Sequence, residues 1–303
     1  MEMPLIVNQF LDRAERVYGD RVAIVDEPDQ PAESWGSLTW REVADRARAQ
    51  AAGLDRLGVG EGERVAVVSH NSARLLTSFF GVSGSGRILV PINFRLAAAE
   101  IDYIVDHCGA SVLLVDPELE DHLGAVSAPH RFTIGAVSDP ILYDFGTEPR
   151  GWSAPDERAT ATINYTSGTT ARPKGVQLTH RNLWLNAATF GWQTGVHDRD
   201  VILHTLPMFH VNGWGMPYAV TGMGGRHVVL RKVDGHEILR RVAAALAGHR
   251  ADDRRPVVPP VAGMGRRRGQ GQHQERSDHD LRDGQRQQRI RRGRKPGSIW
   301  PLG

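Results

Sequence analysis

Short apolar runs punctuate the first half of this chain at intervals that leave room for a helix between them. VAIV at 22–25, RVAVV at 64–68, ILVPI at 88–92 and SVLLV at 111–115 are continuous rather than alternating. Strands buried on both faces carry that pattern, and helices on either side of a parallel sheet are what bury them. The intervening segments supply such helices. QFLDRAERVY at 9–18 and REVADRARAQAAGLDRL at 41–57 have amphipathic spacing, the second closing at Gly58. The segment after Ser69 and residues 97–107 follow suit. Alternating strand and helix predicts βαβ units on mostly parallel sheets, an α/β fold. Residues 126–158 read as loop and carry little information.

Further along, TATINY at 160–165 reads as a strand that runs into YTSGTTARPKGV at 165–176, and GVQLT at 175–179 as its continuation. Thr179 is a candidate N-cap for a helix starting near Arg181. The loop between the strands gathers Thr166, Ser167, Gly168, Thr169 and Thr170 ahead of Pro173, Lys174 and Gly175. Hydroxyls, closely approachable backbone N–H groups and one cation are what a polyphosphate requires. A Ser/Thr/Gly linker would have no reason to end in an ordered Pro-Lys-Gly. The loop is not a Walker A motif, because Lys174 is followed by Gly175 rather than Ser or Thr. Two more strand–helix units are expected, from 201–206 into GWGMPYAVTG and from 227–230 into HEILRRVAAAL.

Composition divides the chain in two. Residues 251–303 hold 12 Arg and 1 Lys against 6 Asp/Glu, a balance of +7, so the remainder stands at −5 and the sum is the overall +2. The basic segment has nine strongly apolar residues and no usable period, too few to offset the entropy of ordering it. It is expected to be a disordered Arg/Gly/Gln-rich tail, 251–303, after a folded region 1–250. With one aromatic, Trp300, and Asp252, Asp253, Asp278, Asp280 and Asp283 interrupting its charge, the tail is a poor base-stacking arm. A specific nucleic-acid partner is not expected.

One cysteine, Cys108, excludes an intramolecular disulfide framework and reads as a small core hydrophobe. The N-terminus lacks the basic start and apolar stretch of a signal peptide, and no run approaches membrane-spanning length. A cytoplasmic protein is expected, so the sequon-like Asn164-Tyr165-Thr166 carries no glycosylation meaning.

YTSGTTARPKGV resembles the phosphate-binding signature of the AMP-forming adenylating enzymes: acyl-CoA synthetases, luciferases and peptide-synthetase adenylation domains. Ala171 stands where that signature usually has Gly. The likeness extends over residues 9–242, through NSARLL at 71–76, LVPINFRLAAAEIDYIVDHCGASVLLVD at 89–116 and LPMFHVNGW at 206–214, the last in the form seen in fatty-acyl-CoA synthetases. The resemblance implies the N-terminal part of an adenylating-enzyme large domain. It implies a fatty-acid–CoA ligase: a carboxylate attacks the α-phosphorus of ATP, giving acyl-AMP and pyrophosphate, and the thiol of coenzyme A then displaces AMP. ATP, Mg²⁺ and coenzyme A are the implied cofactors, a fatty acid or other carboxylic acid the substrate, and a homodimer is left open.

Carried over by position, Thr166, Ser167, Gly168, Thr169, Thr170, Lys174 and Gly175 would cradle the β- and γ-phosphates, with Thr169 near the metal. His210 would orient the carboxylate, and Trp214 would gate an acyl tunnel, with Gly213 and Gly215 allowing movement. On the residues alone, His210 reads equally as a packed histidine and Trp214 as a core indole. The family's later aromatic-Gly-x-Thr-Glu block, ribose Asp and catalytic Lys have no counterpart here. Lys232 and Lys295 lie in no matching block, and the abrupt change after residue 242 suggests out-of-frame translation of GC-rich DNA. Catalytic impairment is therefore expected, with a non-catalytic nucleotide-binding remnant as the alternative and a basic-tailed nucleic-acid-binding protein as a lesser one.

Overall fold

A computed structural model describes residues 3–152, 155–166, 172–247 and 256–257. The strands, in chain order, are β1 (Val22–Val25), β2 (Ser37–Thr39), β3 (Arg64–Val68), β4 (Ile88–Ile92), β5 (Ala110–Val115), β6 (His130–Thr133), β7 (Thr160–Thr166), β8 (Lys174–Thr179), β9 (Val201–His204), β10 (Arg226–Val229) and β11 (Pro256–Val257). They form two sheets, ordered β11-β9-β10-β1-β2 and β6-β5-β3-β4-β7-β8. Pairing is parallel throughout except β1 with β2 and β7 with β8. The mostly parallel α/β architecture expected from the sequence is the one observed.

Alternation along each central strand shows why the apolar runs are unbroken. Val65 and Val67 of β3 and Val112 and Leu114 of β5 enter one core with the helices Asn8–Tyr18, Trp40–Arg56 and Ala73–Gly81. Their neighbours Ala66, Val68, Leu113 and Val115 enter a second core under the helix Ala98–Cys108. Successive side chains point to opposite faces, so a strand covered on both faces must be apolar at every position. The first core also takes Ala23, Ile24 and Val229 from the other sheet, so these helices lie between the two sheets.

Helix starts follow the side chains available. Thr39 caps Trp40–Arg56 in a reciprocal box with Glu42, and Thr179 caps His180–Thr194 by accepting from the Asn182 N–H. The latter helix begins within a residue of its expected start. Two features differ from the sequence reading. The stretch 126–158 holds β6, an edge strand whose residues are half-buried or, at Thr133, exposed and so lack an apolar run, and a short helix at Asp139–Leu142. Regular structure also reaches past residue 250, because Pro256–Val257 pairs in parallel with β9. Proline is tolerated there because β11 is an edge strand. The rest of 251–303 lies outside the described residues. Among the described residues, no helix is long and apolar enough to cross a membrane.

Candidate active site

The C-terminal ends of β3, β4, β9 and β10 converge, the place where open α/β sheets bind ligands. Two clefts open there. One, of about 330 Å³, is bounded by Pro91 and Asn93 beyond β4, by Tyr165, Thr166 and Pro173 at the mouth of the β7–β8 hairpin, and by Phe209 and His210. The other, of about 360 Å³, is bounded by His70, Phe94, Arg95, Thr205, Arg231 and Lys232. Phe94 and Phe209 meet edge to face at 5.3 Å between the two groups of residues.

β7 and β8 hold the ends of the phosphate-loop candidate in register. Thr166 faces Lys174 and Tyr165 faces Gly175 across the hairpin. Thr166 and Lys174 are both exposed, a hydroxyl and a cation on opposite arms of one loop. Gly175 has a packing reason of its own, since a Cβ there would lie 2.9 Å from Ile163 Cγ2 and 3.1 Å from Tyr165 Cζ. Tyr165 is fixed by a 2.7 Å hydrogen bond between its hydroxyl and His107 Nδ1. Burial, with Cys108 close by, pushes its phenol up to about 12, so the hydroxyl stays protonated. Cys108 is half-buried and its thiol is pushed up to about 11 by burial, which keeps it out of nucleophilic chemistry. Ser167, Gly168, Thr169 and Thr170 lie outside the described residues.

The segment bearing His210 is reached through Asn71, which donates from Nδ2 to the His204 and Leu206 carbonyls and accepts from the Met208 N–H at 2.8 Å. The chain then turns left-handed. Val211, Asn212, Gly213, Trp214 and Gly215 have φ of +48°, +50°, +59°, +60° and +72°. For residues bearing a Cβ this conformation costs about 1–2 kcal/mol each, and a β-branched Val is the least suited of all. The sequence reading did not foresee this turn. Its effect is to leave His210 exposed at the wall of the first cleft. Trp214, 53% exposed, stands on the outside of the same turn and is not part of the lining of either cleft.

The second cleft contains residues to which the sequence reading gave no role. The His70 ring meets Phe94 at a 37° tilt with 4.0 Å between ring centroids, and both His70 Nδ1 and Thr205 Oγ1 are buried without a hydrogen-bond partner. Burial and the nearby Arg231 charge hold the His70 pKa below the ordinary value. Arg231 donates to Asp116 at 2.5 and 2.8 Å and to Glu118, tying the end of β10 to the end of β5. Lys232 and Arg231 hold Glu118 down to about 2. Arg95 and Lys232 face solvent at the rim. The available signal was positional: each follows directly on an apolar run that ends at the crevice.

The residues present fit a nucleoside triphosphate in part. Thr166 and Lys174 stand at the loop mouth, and the cleft beside them is lined by the Asn93 and Asn164 side chains as well as apolar ones. For Mg²⁺ the described residues offer no group of three or more His, Cys, Asp or Glu that could hold an ion, and Thr169 is not among them.

The sequence profile described as "AMP-binding enzyme" matches residues 11–277, so the chain belongs to the AMP-binding enzyme family. The long-chain-fatty-acid–CoA ligase of Thermus thermophilus is 37% identical over 239 residues, covering 76% of this chain and 44% of its own length. The 4-hydroxybutyrate–CoA ligase 2 of Metallosphaera sedula is 32% identical over 259 residues, with 79% and 46% covered. A solved long-chain-fatty-acid–CoA ligase from Archaeoglobus fulgidus superposes with a TM-score of 0.72 at 27% identity, over 80% of this chain and 50% of that one. The chain thus spans about half the length of the curated relatives it matches.

Proposed function

We propose that this chain carries the phosphate-loop and carboxylate portion of an AMP-forming fatty-acid–CoA ligase active site. The observation that carries the reading is the single cleft shared by Thr166, at the start of the loop, and His210. In the overall reaction, ATP, a fatty acid and CoA give acyl-CoA, AMP and pyrophosphate. The carboxylate oxygen bonds to the α-phosphorus as the bond to pyrophosphate breaks; the CoA sulfur then bonds to the acyl carbon as AMP departs and the thiol proton is released.

In this reading, Thr166 and Lys174 close on the phosphates from opposite arms of the hairpin, with Ser167, Gly168, Thr169 and Thr170 between them. His210 directs a hydrogen bond at the carboxylate, while Leu96, Ile104 and Phe209 exclude water from the start of the acyl chain. Mg²⁺, travelling with the nucleotide, would supply charge neutralisation at the phosphates. In this reading the rim cations Arg95 and Lys232 of the second cleft, the latter paired with Glu118, would meet the phosphates of CoA. Trp214 as an acyl gate and Gly175 as a phosphate contact remain part of the proposal, together with a cytoplasmic location. The relatives act on acids of different lengths, so the acyl chain length is not assigned.

Catalysis by this chain is expected to be impaired. Losing one preorganised charge-stabilising group costs about 10²–10³ in rate, and the sequence has no counterpart of the Glu block or the catalytic Lys. The test is pyrophosphate release after adding Mg·ATP and a fatty acid to the purified 303-residue protein. Background-level release with Mg·ATP protection of the loop from hydrogen exchange supports an impaired ligase that retains nucleotide binding. Turnover abolished by Lys174→Ala would establish an active ligase and refute impairment.

A further inference from the structure

Beneath the first cleft, three side chains close a ring of hydrogen bonds. Asn164 Nδ2 donates to Asn212 Oδ1 at 2.9 Å, Asn212 Nδ2 donates to Thr162 Oγ1 at 3.0 Å, and Thr162 Oγ1 donates to Asn164 Oδ1 at 3.3 Å. Asn164 Nδ2 also reaches the Phe209 carbonyl at 3.5 Å, the residue before His210. All three members are buried, at 0%, 7% and 1% exposure for Thr162, Asn164 and Asn212. In a low-dielectric interior such a ring is rigid while satisfied and costly once opened.

The position of the ring is as informative as its closure. Thr162 and Asn164 are two apart on β7, so they share one face of the strand that leads into the phosphate loop. Asn212 sits in the middle of the left-handed turn that follows His210. Asn accepts that conformation; Val211 and Trp214 beside it do not, so something must hold them there. The ring supplies that hold, and it does so from the phosphate-loop strand rather than from the turn's own sheet. The turn would relax toward ordinary backbone if Asn212 were released.

We propose that Thr162, Asn164 and Asn212 are positioning residues that couple the phosphate loop to His210. Occupation of the loop tightens the end of β7, and the ring passes that constraint to the left-handed turn and so to the imidazole in the neighbouring cleft. Thr162 and Asn212 line neither cleft, and Asn164, which borders the first, acts here by holding Asn212. The inference rests on the proposed loop and on His210 belonging to one active site.

The test follows two readouts in the same samples of the full chain. Mass spectrometry of His210 carbethoxylation by diethyl pyrocarbonate reports the imidazole; hydrogen exchange of peptides spanning 160–176 reports the loop. In wild type, Mg·ATP should protect the loop and slow labelling of His210. Thr162→Val keeps the shape but removes the hydroxyl, opening the ring and leaving only the Asn164–Asn212 bond, so loop protection should persist while the effect at His210 is clearly weakened; Thr162→Ser should restore it. Should Thr162→Val fold poorly, Asn212→Gly is compatible with positive φ at that position, deletes both side-chain bonds and should abolish the effect at His210 while loop protection persists. Retention of the wild-type response at His210 in the folded variants would overturn the coupling, because direct shielding by nucleotide needs no ring. Absence of loop protection in wild type would instead refute the phosphate-loop reading, and the coupling with it.

Discussion

Acidification from pH 7 to pH 5 should destabilise this protein through histidines that are buried neutral. His180 is fully buried; its Nδ1 accepts from the Val7 N–H, placing the neutral ring's proton on Nε2, which has no partner. His204 and His227 stack at 5.1 Å and share a 2.9 Å hydrogen bond. Thr221 spends its one hydroxyl hydrogen on the Pro217 carbonyl, so it accepts from His227 Nε2, and His227 Nδ1 in turn accepts from His204 Nε2. A second proton on His227 would have to go to Nδ1 and would break its bond with His204. Burial pushes His180 and His204 down to about 4, and burial together with His204 pushes His227 well below the ordinary 6.5.

Each depressed histidine stabilises the fold above pH 6.5, and that contribution is lost as pH falls toward the folded value, because the unfolded chain takes up the proton first. For 6.5 unfolded and about 4 folded, the loss at pH 5 is RT ln[(1 + 10^1.5)/(1 + 10^−1)], about 2 kcal/mol per histidine. His180 and His204 together amount to about 4 kcal/mol, a large part of a stability of about 5–15 kcal/mol. At about 2–4 °C per kcal/mol for a domain of this size, Tm should fall by about 8–16 °C. Carboxylates held near 2, such as Glu118 and Glu237, lose their contribution only below this window. Thermal unfolding at pH 7, 6 and 5 measures the slope. The His180→Gln/His204→Gln double variant should flatten it. An equally steep fall in that variant, or a Tm independent of pH in wild type, would refute the reasoning.

Gly224→Ala should lower Tm by several degrees in differential scanning calorimetry, because φ is +76° there and a Cβ would collide with the Tyr18 ring; an unchanged Tm would mean that the helix Asn8–Tyr18 shifts freely. Lys174→Ala should weaken Mg·ATP protection of residues 165–176 in hydrogen exchange, and equal protection would count against the loop assignment. Deleting residues 258–303 should move Tm by no more than a few degrees, since that segment is too poor in apolar residues to add a core; a larger drop would contradict this compositional argument.

The strands most legible in the sequence were those buried on both faces. Arg64–Val68 and Ile88–Ile92 were located to the residue because double burial leaves no polar residue after the first position of either strand. β6 escaped notice because HRFT at an edge has neither an apolar run nor strict alternation. The strands flanking the phosphate-loop candidate fall where the sequence pattern placed them. The left-handed turn was not legible, because only two of the five residues with positive φ in Val-Asn-Gly-Trp-Gly are glycines. His70, Thr205 and Arg231 were likewise hidden, since strand order, which no local pattern encodes, is what brings them to one crevice.

Among the described residues, β8 has a neighbour on one side only, and its first four residues face solvent with Val176 45% exposed. Its outer rail of N–H and C=O groups is therefore a template for another extended chain, and Lys174, at the start of the strand, is the one charge that opposes such pairing. The residue that would meet phosphate is thus also the residue that guards the edge. Neutralising it frees the strand to self-associate, and self-association would cover the mouth of the loop. Nucleotide affinity measured on a Lys174 variant should consequently fall as protein concentration rises, so a titration at one concentration would credit to lost charge what belongs partly to strand pairing.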